Sequence, residues 1–489
     1  MPSFSAILIR YLSSRIFSQL VGAVIAFLRP RLLTPELFGV WTLLRLIPQY
    51  AIFADLGVRT ALRVYYPLRI AHQEYSQAQD LVMVGILGSL FMDLLLGTLI
   101  AIVALAWDWN EIERFGILAM ALMVPLQGWH HSLFAVLKAQ HRFDIIGKTN
   151  YLEAVLLFVS TIALLPLFGI YGLFVSLLTT QTLLNIFLAR SLGIKLRWPD
   201  HITRSTLSMM GKGWHIMTLE LAMVLVMTTD RFVVSTLLDT TSLGYYGVAI
   251  MIVSFLRNVP GTAREILEPR LMAQMADADL PNLLRLHCLQ PTLNTAFLMP
   301  LLIGPVALAT PLAIDWFLPG YEPSVLPTQV LACGVFFLAL SIVLRSVIVA
   351  LGKDRNAATF IPAVLVTNIA LAGAALYLGL GLAGVAFASG ASFFMLFLLF
   401  WGMLRRELAH APLQDRDQLL WILPVFVISC ALIALLQILP INQGFLGTAV
   451  RIILFLGLFL LLRWLACQRL TLLSPLPWEK RRSEAEGQG

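Results

Sequence analysis

Long apolar runs alternate with short polar breaks along almost the whole chain. A run of roughly 20 mostly apolar residues is long enough to cross a bilayer as an α-helix. The pattern predicts a first set of six spans over Tyr11–Leu28, Leu37–Leu56, Leu81–Trp107, Phe115–Leu137, Asn150–Leu165 and Gly169–Ala189. A second set follows over Trp214–Leu238, Leu243–Ala263, Leu293–Phe317, Val325–Leu351, Ala358–Leu378 and Leu382–Leu404. Two more spans, Leu419–Leu439 and Phe445–Cys467, close the pattern. Pro166, Phe168 and Gly169 split one long apolar stretch into two helices, and Gly379 and Gly381 do the same in the second set. The expected fold class is an all-α integral membrane protein of about 14 helices.

Charge gives the pattern a direction. With the N-terminus placed in the cytoplasm, most of the 34 Lys and Arg residues fall in cytoplasmic segments. The outside loops keep Arg29, Arg31 and Arg114, together with acidic Asp108, Glu111, Glu113, Asp239, Asp315 and Glu322. Both termini are then cytoplasmic. The net charge of +7 is accounted for by this topology, and no nucleic-acid partner is implied. With 59% hydrophobic and 12% charged residues, the chain has too little polar surface for a soluble domain. The first span doubles as the insertion signal, since no cleavage site follows a short apolar core. Four cysteines, Cys288, Cys333, Cys430 and Cys467, lie far apart in sequence and form neither a disulfide framework nor a metal-ligand spacing.

The two sets of six resemble each other. Leu33-Thr-Pro-Glu-Leu-Phe-Gly-Val-Trp41 matches Leu238-Asp-Thr-Thr-Ser-Leu-Gly-Tyr-Tyr246, and Leu137-Lys-Ala-Gln-His-Arg-Phe143 matches Ala350-Leu-Gly-Lys-Asp-Arg355. Six is even, so both sets share one orientation, and parallel repeats of this kind place a substrate site between the bundles. The expected organisation is a bundle over 1–200, a second over 205–405, an extra helix pair over 418–467, and a disordered cytoplasmic tail over 475–489.

Several segments in order carry a family resemblance. They are Leu33–Trp41, Phe53-Ala-Asp-Leu-Gly-Val-Arg-Thr-Ala-Leu-Arg63, Val136–Phe143, Thr229-Asp-Arg-Phe-Val-Val234, Leu243-Gly-Tyr-Tyr-Gly247 and Gly381-Leu-Ala-Gly-Val-Ala386. Over residues 1–405 the chain resembles the O-antigen and exopolysaccharide flippases of the multidrug/oligosaccharidyl-lipid/polysaccharide superfamily. The resemblance implies a secondary transporter that carries an undecaprenyl-diphosphate-linked glycan across the bacterial inner membrane by alternating access. A polysaccharide polymerase and chain-length proteins are the implied partners. The extra helix pair departs from the commoner twelve-helix pattern and resembles the fourteen-helix lipid II flippases of the same superfamily.

Ionisable groups at bilayer depth line a cavity or pair with one another. Arg45, Arg257 and Arg345 are the candidates for gripping a diphosphate through the planar guanidinium fork, with Arg59 beside them. Arg45, Gln49, Arg59 and Arg63 share a face of the second span if it continues as one helix past Gly57. Glu220, Met227 and Arg231 share a face of the seventh, and Ser341 and Arg345 stand one turn apart on the tenth. Asp55, Asp93, Glu220, Asp230 and Arg231 are the coupling or gating candidates, for which H⁺ or Na⁺ is the expected ion. A permanent Asp230–Arg231 lock is an equal reading. His130 and His131 read as packing groups.

No phosphate loop is present, because Met210-Gly-Lys-Gly213 and Leu351-Gly-Lys-Asp354 lack the preceding Gly. No cofactor is expected. A membrane glycosyltransferase or polymerase fits less well, since the outside loops are short. A drug/cation antiporter of the same superfamily prefers acidic cavity residues, whereas Arg is prominent here.

Overall fold

A computed structural model describes residues 4–71, 73–140, 142–192, 204–274, 284–408, 417–440 and 444–473. The tail expected to be disordered, 475–489, lies outside them. Among the described residues the fold is all-helical, and nine helices are long and apolar enough to cross a membrane, with shorter ones between. Leu94, Leu95, Leu99 and Ile102 stand exposed on one helix and Leu446, Ile453 and Leu454 on another. Exposed belts of this kind are stable only against lipid. The chain is a multi-pass membrane protein.

Two compact units divide it, Met1–Gly247 and Val248–Gly489. The first unit opens with α1 (Phe4–Leu32), α2 (Pro35–Leu44), α3 (Leu46–Ala51) and α4 (Val58–Ala71). It continues with α5 (Tyr75–Ala106), α6 (Glu111–Ala139) and α7 (Phe143–Leu192). Next come α8 (Arg204–Val226), α9 (Thr229–Leu237) and the start of α10 (Thr240–Gln274). Thr34 caps α2 through its hydroxyl, which accepts from Leu37 N at 3.4 Å, and Pro35 supplies a ready helical φ at the first position. Asn110 caps α6 in the same way, accepting from Glu113 N at 2.8 Å. Glu111 and Glu113 then place negative charge at the positive end of the helix.

The break expected at Pro166–Gly169 is present. Gly169 adopts φ 55° and ψ −136° inside α7, and the chain turns back there. A Cβ on Gly172 would stand 2.1 Å from Leu164 O, and Ser176 Oγ lies 2.6 Å from Ser160 Oγ, so the two halves of α7 pack side by side. A core of Leu62, Ile86, Leu133, Val136, Ile146 and Leu188 joins α4, α5, α6 and α7.

Two expected helix faces do not form. The second span does not run as one helix past Gly57. It bends at Arg45, and turns replace the helix between Ala51 and Val58. Leu56 (φ 52°) and Gly57 (φ 89°) both take left-handed backbone, which ends an α-helix. Arg45 and Arg59 therefore share no helix face. The seventh span is likewise interrupted, between Val226 and Thr229, so Glu220 and Arg231 belong to separate helices.

The second unit contains α11 (Gln290–Phe317), α12 (Val325–Ala350), α13 (Asp354–Tyr377) and α14 (Gly381–Leu408), followed by α15 (Ile422–Ile438) and α16 (Phe445–Cys467). Gly379 (φ 74°) and Gly381 (φ 55°) make the expected turn into α14. Gly334 and Gly390 let α12 and α14 touch backbone to backbone, since a Cβ on Gly334 would stand 2.6 Å from Gly390 Cα. The extra pair α15–α16 docks on α11, where the Phe455 ring fills the space above Gly304. Cys333 and Cys430, remote in sequence, line one small apolar cleft between α12 and α15.

Candidate functional site

Two arginines of the first unit share one indole, and a third stands near them. The Arg29 and Arg45 guanidinium carbons lie over the Trp41 ring, 5.3 Å and 5.7 Å from its centroid. Such distances fall inside the roughly 6 Å reach of a cation–π contact. Arg45 feels the opposite charge of Glu153 and the like charges of Arg231 and Arg29, so the cations outnumber the carboxylate beside them. Arg231 Nη1 donates to Gln49 Oε1 at 3.4 Å. Nε of Arg29 and Nε of Arg231 are buried and find no hydrogen-bond partner among the described residues. Like charges held together with spare donors form an anion-receptive surface. The bend in the second span builds it, because Arg45 caps α2 where α3 begins.

The sequence placed Arg29 in an outside loop. In the fold it sits in the last turn of α1, on the ring that Arg45 also meets. No spacing rule links positions on two different helices, so this pairing had no linear signal.

Arg59 occupies a different place. Its Nη2 pairs with Asp93, its Nε donates to Ser132 Oγ at 3.1 Å, and its Nη1 donates to Ile52 O at 3.0 Å. Asp55 accepts from Gly57 N at 3.2 Å and Arg59 N at 2.6 Å, so its carboxylate caps the start of α4. Arg59, Asp93 and Asp55 are all buried. Gly128 makes room for the pair, since a Cβ there would stand 1.9 Å from Asp93 Oδ2. Asp93 Oδ1 is buried with no hydrogen-bond partner among the described residues.

Asp230 accepts from Tyr246 Oη at 2.8 Å and, at the start of α9, from Arg231 N at 2.8 Å. Tyr50 Oη and Thr228 Oγ1 are hydrogen-bonded, which ties α3 to the α8–α9 break. Glu220 is half-buried on α8. Arg257 on α10 is half-buried, and Arg345 on α12 is buried; both belong to the second unit.

Next to the arginine cluster the first unit holds a cavity of about 270 Å³ between α1, α6 and α7. Arg15, Glu153, Gln127, His131, Asn150 and Gln181 are among its walls.

A family model described as polysaccharide biosynthesis protein matches residues 28–318. No curated protein sequence matches the chain at a significant level. Among solved structures, the lipid II flippase MurJ in an inward closed conformation is similar with a TM-score of 0.67 at 15% identity. That match covers 94% of this chain and 100% of that one. An inward-facing multidrug resistance MATE family transporter of the MOP superfamily matches with a TM-score of 0.60 at 15% identity, over 82% of this chain and 98% of that one. A MATE transporter from Vibrio cholerae in a bent form matches with a TM-score of 0.53 at 16% identity, over 81% and 100%. The fold is that shared by these transporters.

Proposed function

The chain belongs to the polysaccharide biosynthesis protein family, and from that premise we propose that it is a flippase for a polyprenyl-diphosphate-linked oligosaccharide. It carries the glycan from the cytoplasmic to the periplasmic leaflet of the bacterial inner membrane. The observation that supports this reading is the seating of Arg29 and Arg45 on Trp41 inside a membrane unit, with Arg231 near enough to Arg45 for their charges to interact. A diphosphate brings about two negative charges and acceptor oxygens for planar guanidinium forks. Arg257 and Arg345, both in the second unit, carry the same guanidinium chemistry.

Transport proceeds by rocking of the bundles 1–200 and 205–405, with the extra pair riding on the second. Protonation or Na⁺ binding at Asp93, Asp55, Glu220 or Asp230 couples the motion to an ion gradient. A carboxylate facing an arginine exchanges its partner for a proton when the pair is pulled apart. Both termini lie in the cytoplasm, and polymerase and chain-length proteins receive the product outside.

The test is a deletion strain. It should accumulate lipid-linked oligosaccharide at the cytoplasmic leaflet and lose surface glycan, and the wild-type gene should restore both. Normal surface glycan in the deletion strain overturns the reading. A lipid II flippase is the second reading, favoured by the MurJ match, which covers 94% of this chain and 100% of that one. In that case depletion stops peptidoglycan synthesis and lyses the cells.

A further inference from the structure

The cavity between α1, α6 and α7 lies wholly inside the first unit. Its volume of about 270 Å³ far exceeds the roughly 30 Å³ share of one water and approaches the lower end, about 300 Å³, of small-molecule pockets. Its lining is unusual for a membrane helix bundle. Gln127 and His131 come from α6, Asn150, Glu153 and Gln181 from α7, and Arg15 from α1. Gln127 Nε2 meets His131 Nε2 at 3.3 Å, which leaves Gln127 Oε1 buried with no hydrogen-bond partner among the described residues. Gln181 is 8% exposed, and its Nε2 likewise has none. One spare acceptor on α6 and one spare donor on α7 therefore line the same cavity.

An unpaired buried amide is costly in a low-dielectric site, so a partner is strongly favoured. A partner that both donates and accepts satisfies the two amides; single waters do so, and a sugar does so as one ligand large enough to fill the cavity. An acyl chain would leave every amide unsatisfied. An anion would meet Glu153 beside the cations Arg15 and Lys138, whereas a neutral sugar meets no opposing charge. His130 stacks on Phe134 with ring centroids 4.5 Å apart, so the wall also offers apolar ring surface for the C–H face of a pyranose. The cavity adjoins the arginine cluster, because Glu153 on its wall feels the charges of both Arg15 and Arg45.

We infer that this cavity is a saccharide subsite, which holds the sugar next to the diphosphate of the transported lipid. Gln127, Gln181 and Asn150 bond its hydroxyls, and Glu153 and Arg15 fix its orientation. The subsite rests on the flippase reading, and it adds selection by sugar to the grip on the diphosphate.

The experiment uses full-length protein in detergent. Two probes are compared: lipid-linked glycan extracted from the host's membranes, and bare undecaprenyl diphosphate. Affinity for each is measured in wild type and in Gln127→Leu, Gln181→Leu and Asn150→Leu. Wild type should bind the glycan-bearing lipid at least ten-fold more tightly than the bare carrier. The variants should bring that ratio close to one while keeping their affinity for the bare carrier. A wild-type ratio of one, a ratio that survives in all three variants, or an equal loss for both probes overturns the subsite. Those results leave the flippase reading in place. Wild type that binds neither probe overturns both.

Discussion

Gly39 on α2 and Gly244 on α10 face each other's backbones reciprocally. A Cβ on Gly39 would stand 1.8 Å from Thr240 O, and a Cβ on Gly244 would stand 1.8 Å from Pro35 O. Gly39 and Gly244 are equivalent positions of the two repeats, and so are Pro35 and Thr240. The contact is therefore related to itself by the repeat, as an isologous interface is in a symmetric dimer. Small residues are what allow two membrane helices this close.

Gly39→Ala or Gly244→Ala forces the two turns apart, because neither clashing atom is a movable side chain. Overpacking of this kind costs about 1–3 kcal/mol. Each variant should raise the rate at which a thiol at Phe38→Cys, buried in the wild type, reacts with a membrane-impermeant maleimide. The double variant should resemble either single one, since residues in one contact are not additive. Labelling no faster than wild type shows that this contact does not close the chain.

Joining the same turns should have the opposite effect. Phe38 and Leu243 are both buried beside the glycine contact. Cysteines placed at the two positions and cross-linked by an oxidant should stop transport, and reductant should restore it. Full transport with the link formed excludes rocking at this point.

The proposed grip on a diphosphate predicts a shared loss. Arg45→Ala, Arg257→Ala and Arg345→Ala should cut surface glycan severely at unchanged membrane abundance, since losing one partner of a desolvated charged contact costs about 2–5 kcal/mol. Arg29→Ala should do the same, although charge placement along the chain puts it in a loop. Lys restores only part of the function, because it keeps the charge without the fork. Complementation scored by surface glycan, with an immunoblot for abundance, decides the matter. Full complementation by all four Ala variants assigns the arginines to structure.

Arg59 and Asp93 separate coupling from packing. Arg59→Met leaves a buried carboxylate alone and should cost about 3–5 kcal/mol, read as lost membrane abundance or a lower unfolding temperature. Arg59→Met with Asp93→Leu should recover most of it. Asp93→Asn should insert normally and remove the pH dependence of transport. A wild-type pH profile in Asp93→Asn makes the pair a structural lock.

The helices and their order are readable from apolar runs, and the breaks at Gly169 and Gly379–Gly381 from residues that tolerate positive φ. The bend at Arg45 and the turn at Leu56 are not. The first had a signal that a reading by apolar runs passes over, since Pro48 has no N–H to bond back to Leu44, where α2 ends. Leu56 takes left-handed backbone only with its neighbourhood pinned, where Asp55 caps Gly57 and Arg59. The site was legible by residue type and not by partner. Arg59 looked like a ligand-facing cation and meets Asp93, whereas Arg29 looked like a loop residue and meets Trp41. Gln127 and Gln181 gave the faintest signal, because one amide in a span is common and only the fold brings the two to one cavity.

The Phe455 ring seated over Gly304 has a consequence for the order of synthesis. Gly304 is made before the helix that covers it. Until then α11 exposes a pit whose eventual filling is aromatic, and lipid tails or an insertion factor occupy it. The pair α15–α16 therefore completes a helix made before it. A nascent chain arrested before α16 should hold α11 in a state that proteases recognise, even with all earlier helices already in the bilayer.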